Sequence, residues 1–211
     1  MDANDVEVVE IEEAFKGYFH IDRYHLKHRQ FKGEMGKPIS REIFERGHAA
    51  CCLLYDPVLD KLVLIEQFRA GAYAALSSPW FDDKETSPWL IEIVAGIIDE
   101  GEDPETVVRR EAVEEAGCEI GELELIFHYL VTPGGSTESM FTFIGRVEAS
   151  NIGGIHGLEE EGEDIRVFTV DVEEAFEMFD QRQIINSMVM LPMQWFRAHH
   201  QEVRARWLKS E

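Results

Sequence analysis

Residues 96–118, GIIDEGEDPETVVRREAVEEAGC, constrain the fold more than any other part of this chain. Asp103 suits an N-cap, Pro104 the first helical position and Gly117 the C-terminal exit, so a helix is predicted between them. At ~100° per residue, Val108, Ala112 and Ala116 recur every fourth position and form an apolar stripe. Glu115, seven residues beyond Val108, falls ~20° off the same line, and Glu111 sits one turn before it. Both carboxylates therefore border the face that packs inward.

That placement is costly. Like charges at i, i+4 oppose each other by roughly 0.2–0.5 kcal/mol even in water, and desolvation adds to this. Arg110 can pair with Glu114 and Glu105 with Arg109, and neither pair is obliged to neutralise Glu111 and Glu115. A divalent cation would. Carboxylates, a backbone carbonyl and water form the all-oxygen ligand set that suits Mg2+ or Mn2+. The competing reading is an acidic, solvated helix with ordinary surface pairs. On the residues alone the two readings stand level.

The remainder reads as strands with two closing helices. Residues 17–31 mix aromatic and basic side chains, with Tyr24 and Leu26 alternating as in a strand, and residues 1–40 read as an appendage linked by the turn-rich GEMGKP (33–38). Strands are expected at 43–56 and 61–68, flanking a hairpin turn at DPVLD, and at 89–95, 123–131, 140–147 and 165–170. Residues 70–89 form a long connection, and loops of that length are functional or mobile. Helices are expected around 173–180 and 184–206, the second kinked or interrupted by Pro192. His199 and His200 read as surface histidines. With no regular βαβ alternation, the expected class is α+β with a mixed sheet.

Composition narrows the function. The chain has 211 residues, with 20 Lys+Arg against 42 Asp+Glu and a formal net charge of −22. A duplex nucleic-acid binder needs clustered Lys/Arg to displace counterions, and an anionic membrane surface asks for the same, so neither partner is expected. An anionic small substrate stays possible where a metal ion bridges the like charges. No apolar run approaches the ~20 residues of a spanning helix, and MDANDVEVVEIEE lacks a signal-peptide pattern. Cys51, Cys52 and Cys118 cannot all pair and show no CxxC spacing, which points to a reducing cytoplasm. No HExxH, GxSxG or Walker pattern is present.

Residues 96–118 resemble the signature of the Nudix hydrolases, G-x5-E-x7-R-E-U-x-E-E-x-G-U, with U a bulky apolar residue. Gly96, Glu102, Arg110, Glu111, Glu114, Glu115 and Gly117 match at the required spacing, while Ala112 and Cys118 are smaller than the pattern prefers. The resemblance extends to REIFERGHAA (41–50), LIEQFR (64–69), TPGGSTE (132–138) and GLEEEGEDIRV (157–167), all similar to bacterial ADP-ribose-cleaving members of the family. Pro133, fifteen residues past Cys118, is a further mark of that group. The implied fold is a Nudix-type α/β/α sandwich with a mixed sheet, residues 46–211, preceded by a small N-terminal β appendage, residues 1–45, which would serve a homodimer.

The resemblance also implies roles. Glu111, Glu115, Glu163 and the Ala95 carbonyl would hold the metal, and Arg110 and Glu102 would brace the loop and helix. Glu161 would be the general base for water. Tyr18 and Phe19 would stack on adenine, reaching in from a partner subunit. Arg41, Glu42, Arg46 and Arg69 would contact base, ribose or diphosphate, with Ile97 beside the substrate. Thr132, Pro133, Gly134 and Glu138 would sit near the terminal ribose. Blander roles stand beside these: charge neutralisation for Arg46 and Arg69, packing for Tyr18 and Phe19, and a solvated acidic loop at 157–164. The implied function is Mg2+-dependent hydrolysis of ADP-ribose to AMP and ribose 5-phosphate. The alternatives are cleavage of another nucleoside diphosphate sugar such as GDP-mannose, or a non-catalytic nucleotide-binding module.

Overall fold

A computed structural model describes residues 1–81 and 86–209, except for the side chain of Glu161. Residues 82–85 of the 70–89 connection lie outside the described residues. The strands are β1 (Val6–Lys16), β2 (His20–His28), β3 (Ile39–Glu45), β4 (Ala49–Asp56), β5 (Lys61–Phe68), β6 (Trp89–Glu92), β7 (Val94–Ile97), β8 (Leu123–Leu130), β9 (Ser139–Arg146), β10 (Gly154–His156) and β11 (Ile165–Asp171). The helices are α1 (Ala70–Ala75), α2 (Pro104–Ala116), α3 (Val172–Asp180) and α4 (Ser187–Trp207). The class is α+β, as expected, and the chain divides into two units, one of residues 1–48 with 129–139, the other of 49–128 with 140–211.

In the first unit β1, β2 and β3 form an antiparallel sheet. The sequence reading assigned no strand to 6–16, yet β1 is eleven residues long, with bulges between Val8 and Glu10 and between Glu13 and Phe15. The expected strand at 43–56 is two strands, because Arg46–His48 separate β3, in the three-stranded sheet, from β4 in the larger one.

In the second unit the larger sheet runs β10-β11-β5-β4-β9-β8, with β4 parallel to β9 and antiparallel to β5. Every residue of β4 is buried, as in a strand covered on both faces. Ala50, Cys52 and Leu54 pack with Val107, Val108, Ala112 and Ala116 of α2. Tyr55 meets the rings of Phe196 and Trp207 of α4 at 4.8 and 6.1 Å. Helices thus lie on both sides of the sheet.

One topological detail positions the site. β4 and β5 pair only over Leu54–Asp56 and Lys61–Val63, then diverge. The 89–97 segment fills the fork: β6 pairs with β5 (Ile65 opposite Glu92) and β7 with β4 (Cys51 opposite Ala95). The expected single strand at 89–95 is therefore broken at Ile93, where the chain changes partners.

The closing helices form as expected, and of the kink or interruption expected at Pro192 the interruption does not occur. α4 runs through Pro192, which is buried in it. His200 also departs from its expected surface position. It is buried, and its Nε2 lies 2.7 Å from Asp60 Oδ1. Asp60 also accepts from Tyr55 Oη (2.7 Å) and Arg204 Nη1 (2.6 Å), tying the β4–β5 turn to α4. Among the described residues no helix is long and apolar enough to cross a membrane.

Candidate active site

The helix forms between the predicted signals. Asp103 accepts from the amides of Glu105 and Thr106, both at 3.1 Å, and Gly117 closes the helix at φ 64°. That left-handed exit suits glycine, and so does the packing, since a Cβ there would lie 2.4 Å from His156 Cε1. Gly96 is required for a different reason. A Cβ at Gly96 would lie 1.9 Å from Oε1 of Glu111. The carboxylate rests on the bare backbone of β7, so the first and last glycines of the signature each make room for a side chain.

Glu111 and Glu115 are buried, at 9% and 2% exposure. Burial pushes Glu111 up to about 7, against the attraction of Arg110 and with the repulsion of Glu114 and Glu163. Burial likewise pushes Glu115 up to about 8, opposed by the Ala95 amide and reinforced by Glu111 and Glu163. Each acid faces its own donor: Glu111 accepts from Arg110 Nη1 at 2.7 Å, Glu115 from the Ala95 amide at 2.9 Å, and Glu163 from the Leu158 amide at 3.0 Å. The three do not close to within 4.8 Å of one another; among the described residues Glu10, Glu12 and His25 of β1 and β2 do. Glu12 in that surface trio is already paired with Arg23 at 3.3 Å.

The donor set at α2 fits a hard dication. It is all oxygen, it is buried, and burial together with neighbouring acids holds the protons of Glu111 and Glu115 above the usual carboxylate range. Arg110 reaches Glu102 at 3.4 Å and Glu114 at 3.2 Å, and Glu102 accepts from the Asp99 amide at 3.3 Å, so this arginine spans loop and helix. The expected Glu105–Arg109 pair gives way to bonds from Arg109 to the carbonyls of Ile120 (2.6 Å) and Gly121 (3.3 Å).

Arg69 follows β5, and Glu115 and Glu163 are among the charges acting on it. Its Nε and Nη2 donate to Glu92 Oε2 at 3.0 and 2.7 Å. The sequence reading passed over Glu92, although an acid within the apolar run WLIEIVA was a visible signal. Ile97 ends β7 and is exposed. The side chain of Glu161 lies outside those described; its backbone is in a 3-10 turn, Glu159–Glu161.

The remaining predicted residues belong to the first unit. Phe19 meets Phe44 edge-on at 4.9 Å, and Arg46 lies 5.8 Å from the Phe19 ring centroid. Arg46 Nε is 3.7 Å from Glu138. Tyr18 is exposed and touches Phe19 edge-on at 5.0 Å. Thr132, Pro133 and Gly134 form a turn in which the amides of Gly135 and Ser136 both donate to the Thr132 carbonyl at 3.1 Å. Arg41 and Glu42 are neighbours on β3 and point to opposite faces. Arg41 bonds the Ser40 carbonyl at 2.7 Å and Glu42 pairs with Arg23 at 2.8 Å. The structure thus groups Phe19, Arg46 and Glu138, while Arg41 and Glu42 bond to Ser40 and Arg23.

Known proteins are similar to this chain over most of its length. The NUDIX domain family matches residues 45–188. An ADP-ribose pyrophosphatase of Escherichia coli (strain K12) is 44% identical over 204 residues, which is 97% of this chain and 93% of that protein. A GDP-mannose pyrophosphatase of Escherichia coli O139:H28 is 35% identical over 163 residues, 76% of this chain and 78% of that protein. A solved structure described as an ADP compounds hydrolase superposes with a TM-score of 0.64 at 17% identity, over 92% of this chain and 96% of that one, and shares the fold. With the glycine, arginine and glutamate positions of the signature matched around α2 and the family match covering residues 45–188, the chain belongs to the Nudix family.

Proposed function

We propose that this chain is a Mg2+-dependent pyrophosphohydrolase that adds water across the diphosphate of ADP-ribose and releases AMP and ribose 5-phosphate. The observation that carries the reading is the pair of buried carboxylates, Glu111 and Glu115, one turn apart beside the Ala95–Gly96 backbone. The substrate follows from the relative that is 44% identical over nearly the whole chain.

Glu111, Glu115, Glu163 and the Ala95 carbonyl would hold Mg2+, with Mn2+ an acceptable substitute. Such an ion offsets the charge on the phosphoryl oxygens and favours attack by water. Arg110 holds Glu111 through a 2.7 Å bond and fixes its direction. Arg69 adds a positive charge beside the acids, which an anionic substrate needs in a protein of net charge −22. Glu161 is assigned as the base that takes the proton from water. Tyr18, Phe19, Arg41, Glu42 and Arg46 are assigned to the adenosine side, and Thr132, Pro133, Gly134 and Glu138 to the terminal ribose, with Ile97 beside the substrate. The acting species is a homodimer in which residues 1–45 are exchanged, and its compartment is the cytoplasm, a reading supported by three free buried cysteines.

A panel of ADP-ribose, GDP-mannose and NADH, with Mg2+ or EDTA, and products identified by chromatography, tests the proposal. The expected result is AMP and ribose 5-phosphate from ADP-ribose with Mg2+ only. Preferential cleavage of GDP-mannose would replace the substrate, the reading favoured by the relative that is 35% identical. No release from any member would leave a nucleotide-binding module.

A further inference from the structure

Glu92 is 1% exposed and takes no part in the proposed metal site. A buried carboxylate needs partners to offset its desolvation, and those found here point one way. Oε2 accepts from Gln67 Nε2 at 3.2 Å and from both Nε and Nη2 of Arg69 at 3.0 and 2.7 Å. Oε1 accepts from Asn186 Nδ2 at 2.6 Å. The fork between β4 and β5 creates this geometry. Glu92 sits opposite Ile65, and Gln67 and Arg69 follow at two-residue steps, so all three polar side chains rise from one face.

Asn186 is held in turn. Its Oδ1 accepts from the Met188 amide at 2.9 Å, capping α4, while its amide nitrogen serves Glu92. The two ends of that amide are committed, and Glu92 cannot rotate without breaking bonds on both oxygens. Arg69 is thus clamped along one edge of its guanidinium. Its opposite edge, Nη1, makes no hydrogen bond among the described residues, and the side chain remains 43% exposed.

We propose that Glu92 is a positioning residue for the hydrolase reaction: anchored by Gln67 and Asn186, it fixes Arg69 so that the free edge of the guanidinium receives the substrate's diphosphate. This rests on the function proposed above. Arg69 touches the substrate and Glu92 acts only through Arg69. Without Glu92 the guanidinium would sample many rotamers or fold onto the acids beside it, and the diphosphate would meet an unordered cation.

The test is a double-mutant cycle on the full chain with Glu92→Gln, Arg69→Gln and the pair. Two readouts are taken: kcat/KM for ADP-ribose with Mg2+, and calorimetric affinity for a methylene-bridged ADP-ribose analogue. Each single variant is expected to lose about 10- to 100-fold in both, the scale seen when the outer partner of a site group is removed. The double variant is expected to be no worse than Arg69→Gln, because the two act as one unit. Glu92→Asp, which keeps the charge on a shorter arm, is expected to recover part of the loss, and it carries the cycle should Glu92→Gln not fold. Losses that multiply in the double variant overturn the proposal, since a purely structural role would weaken both Arg69 backgrounds alike. A Glu92→Gln protein that binds the analogue as tightly as wild type does the same. Wild-type protein that neither binds nor cleaves ADP-ribose would instead remove the functional reading, and this one with it.

Discussion

Gly96→Ala isolates the steric demand of the site. Gly96 lies outside the left-handed region, so alanine meets no backbone strain there. Its Cβ would meet Glu111 Oε1, Cδ and Cγ at 1.9, 2.5 and 2.7 Å. Ordinary contact begins near 3.4 Å, so the carboxylate must retreat by about 1.5 Å. A misplacement of ~1 Å in a reacting constellation can cost about 100-fold in rate. Gly96→Ala is therefore expected to lower Mg2+-dependent kcat/KM for ADP-ribose by at least about 100-fold. The fold should survive, because Glu111 is the flexible partner in the clash. Gly71→Ala, on α1 with nothing within 4 Å of the new Cβ, is the control and should retain wild-type activity. Activity of Gly96→Ala within threefold of wild type, at the same Mg2+ requirement, would refute the view that Glu111 must lie on that backbone.

Gly117→Ala combines a φ of 64° with a 2.4 Å approach to His156, and should lower stability by at least ~1–2 kcal/mol, read by denaturant melts; an unchanged midpoint would contradict the packing argument. Asp60→Asn keeps a residue tolerant of its φ of 57° while removing the charge that holds Tyr55, His200 and Arg204. A loss of about 2 kcal/mol is expected, or roughly 4–8 °C in Tm for a chain of this size; a gain, as relief of excess negative charge alone would give, would refute it. In EDTA, burial holds the protons of Glu111 and Glu115 up to about 7 and about 8, above the unfolded carboxylate, so from about pH 5 to 8 the folded state binds more protons than the unfolded one. Stability must then fall as pH rises from about 5 to 8, and Mg2+ should restore it at pH 8. A Glu111→Gln/Glu115→Gln variant should show a shallower fall by thermal melts, and an identical slope would remove those two acids as its source.

The fold was legible wherever pattern and local chemistry agree. Asp103, Pro104 and Gly117 mark both ends of α2, and its Val108, Ala112 and Ala116 stripe is the face that packs on β4. Partner choice was not legible. The run at 89–97 is uniformly apolar apart from Glu92, and nothing local says that its first half joins β5 and its second half β4. β1 was missed for a related reason. Its Val/Ile positions interleave with four glutamates, but bulges break the alternation that would have marked a strand. Pro192 does not interrupt α4 because the rest of the helix packs well enough to carry it through a missing amide, with Met188, Val189, Met193 and Phe196 buried around it.

At the candidate site the division lies between periodicity and distance along the chain. Glu111 and Glu115 were found because a helix repeats every 3.6 residues and their place at the edge of the apolar stripe follows by counting. The adjacent Arg110–Glu111 bond was not, because consecutive residues do not face each other on a helix; only the length of arginine lets it reach back. Glu92 and Asn186 meet across 94 residues, and no local rule joins them. What sequence does offer is the anomaly itself: a charged side chain inside a strand-length apolar run. Such an acid must find several donors in the folded chain or be expelled from its core. Here the donors are one amide from β5, one cap from α4 and one arginine beside the carboxylates of α2. An unexplained buried charge can therefore be read in advance as a place where distant segments converge, even when the segments cannot be named.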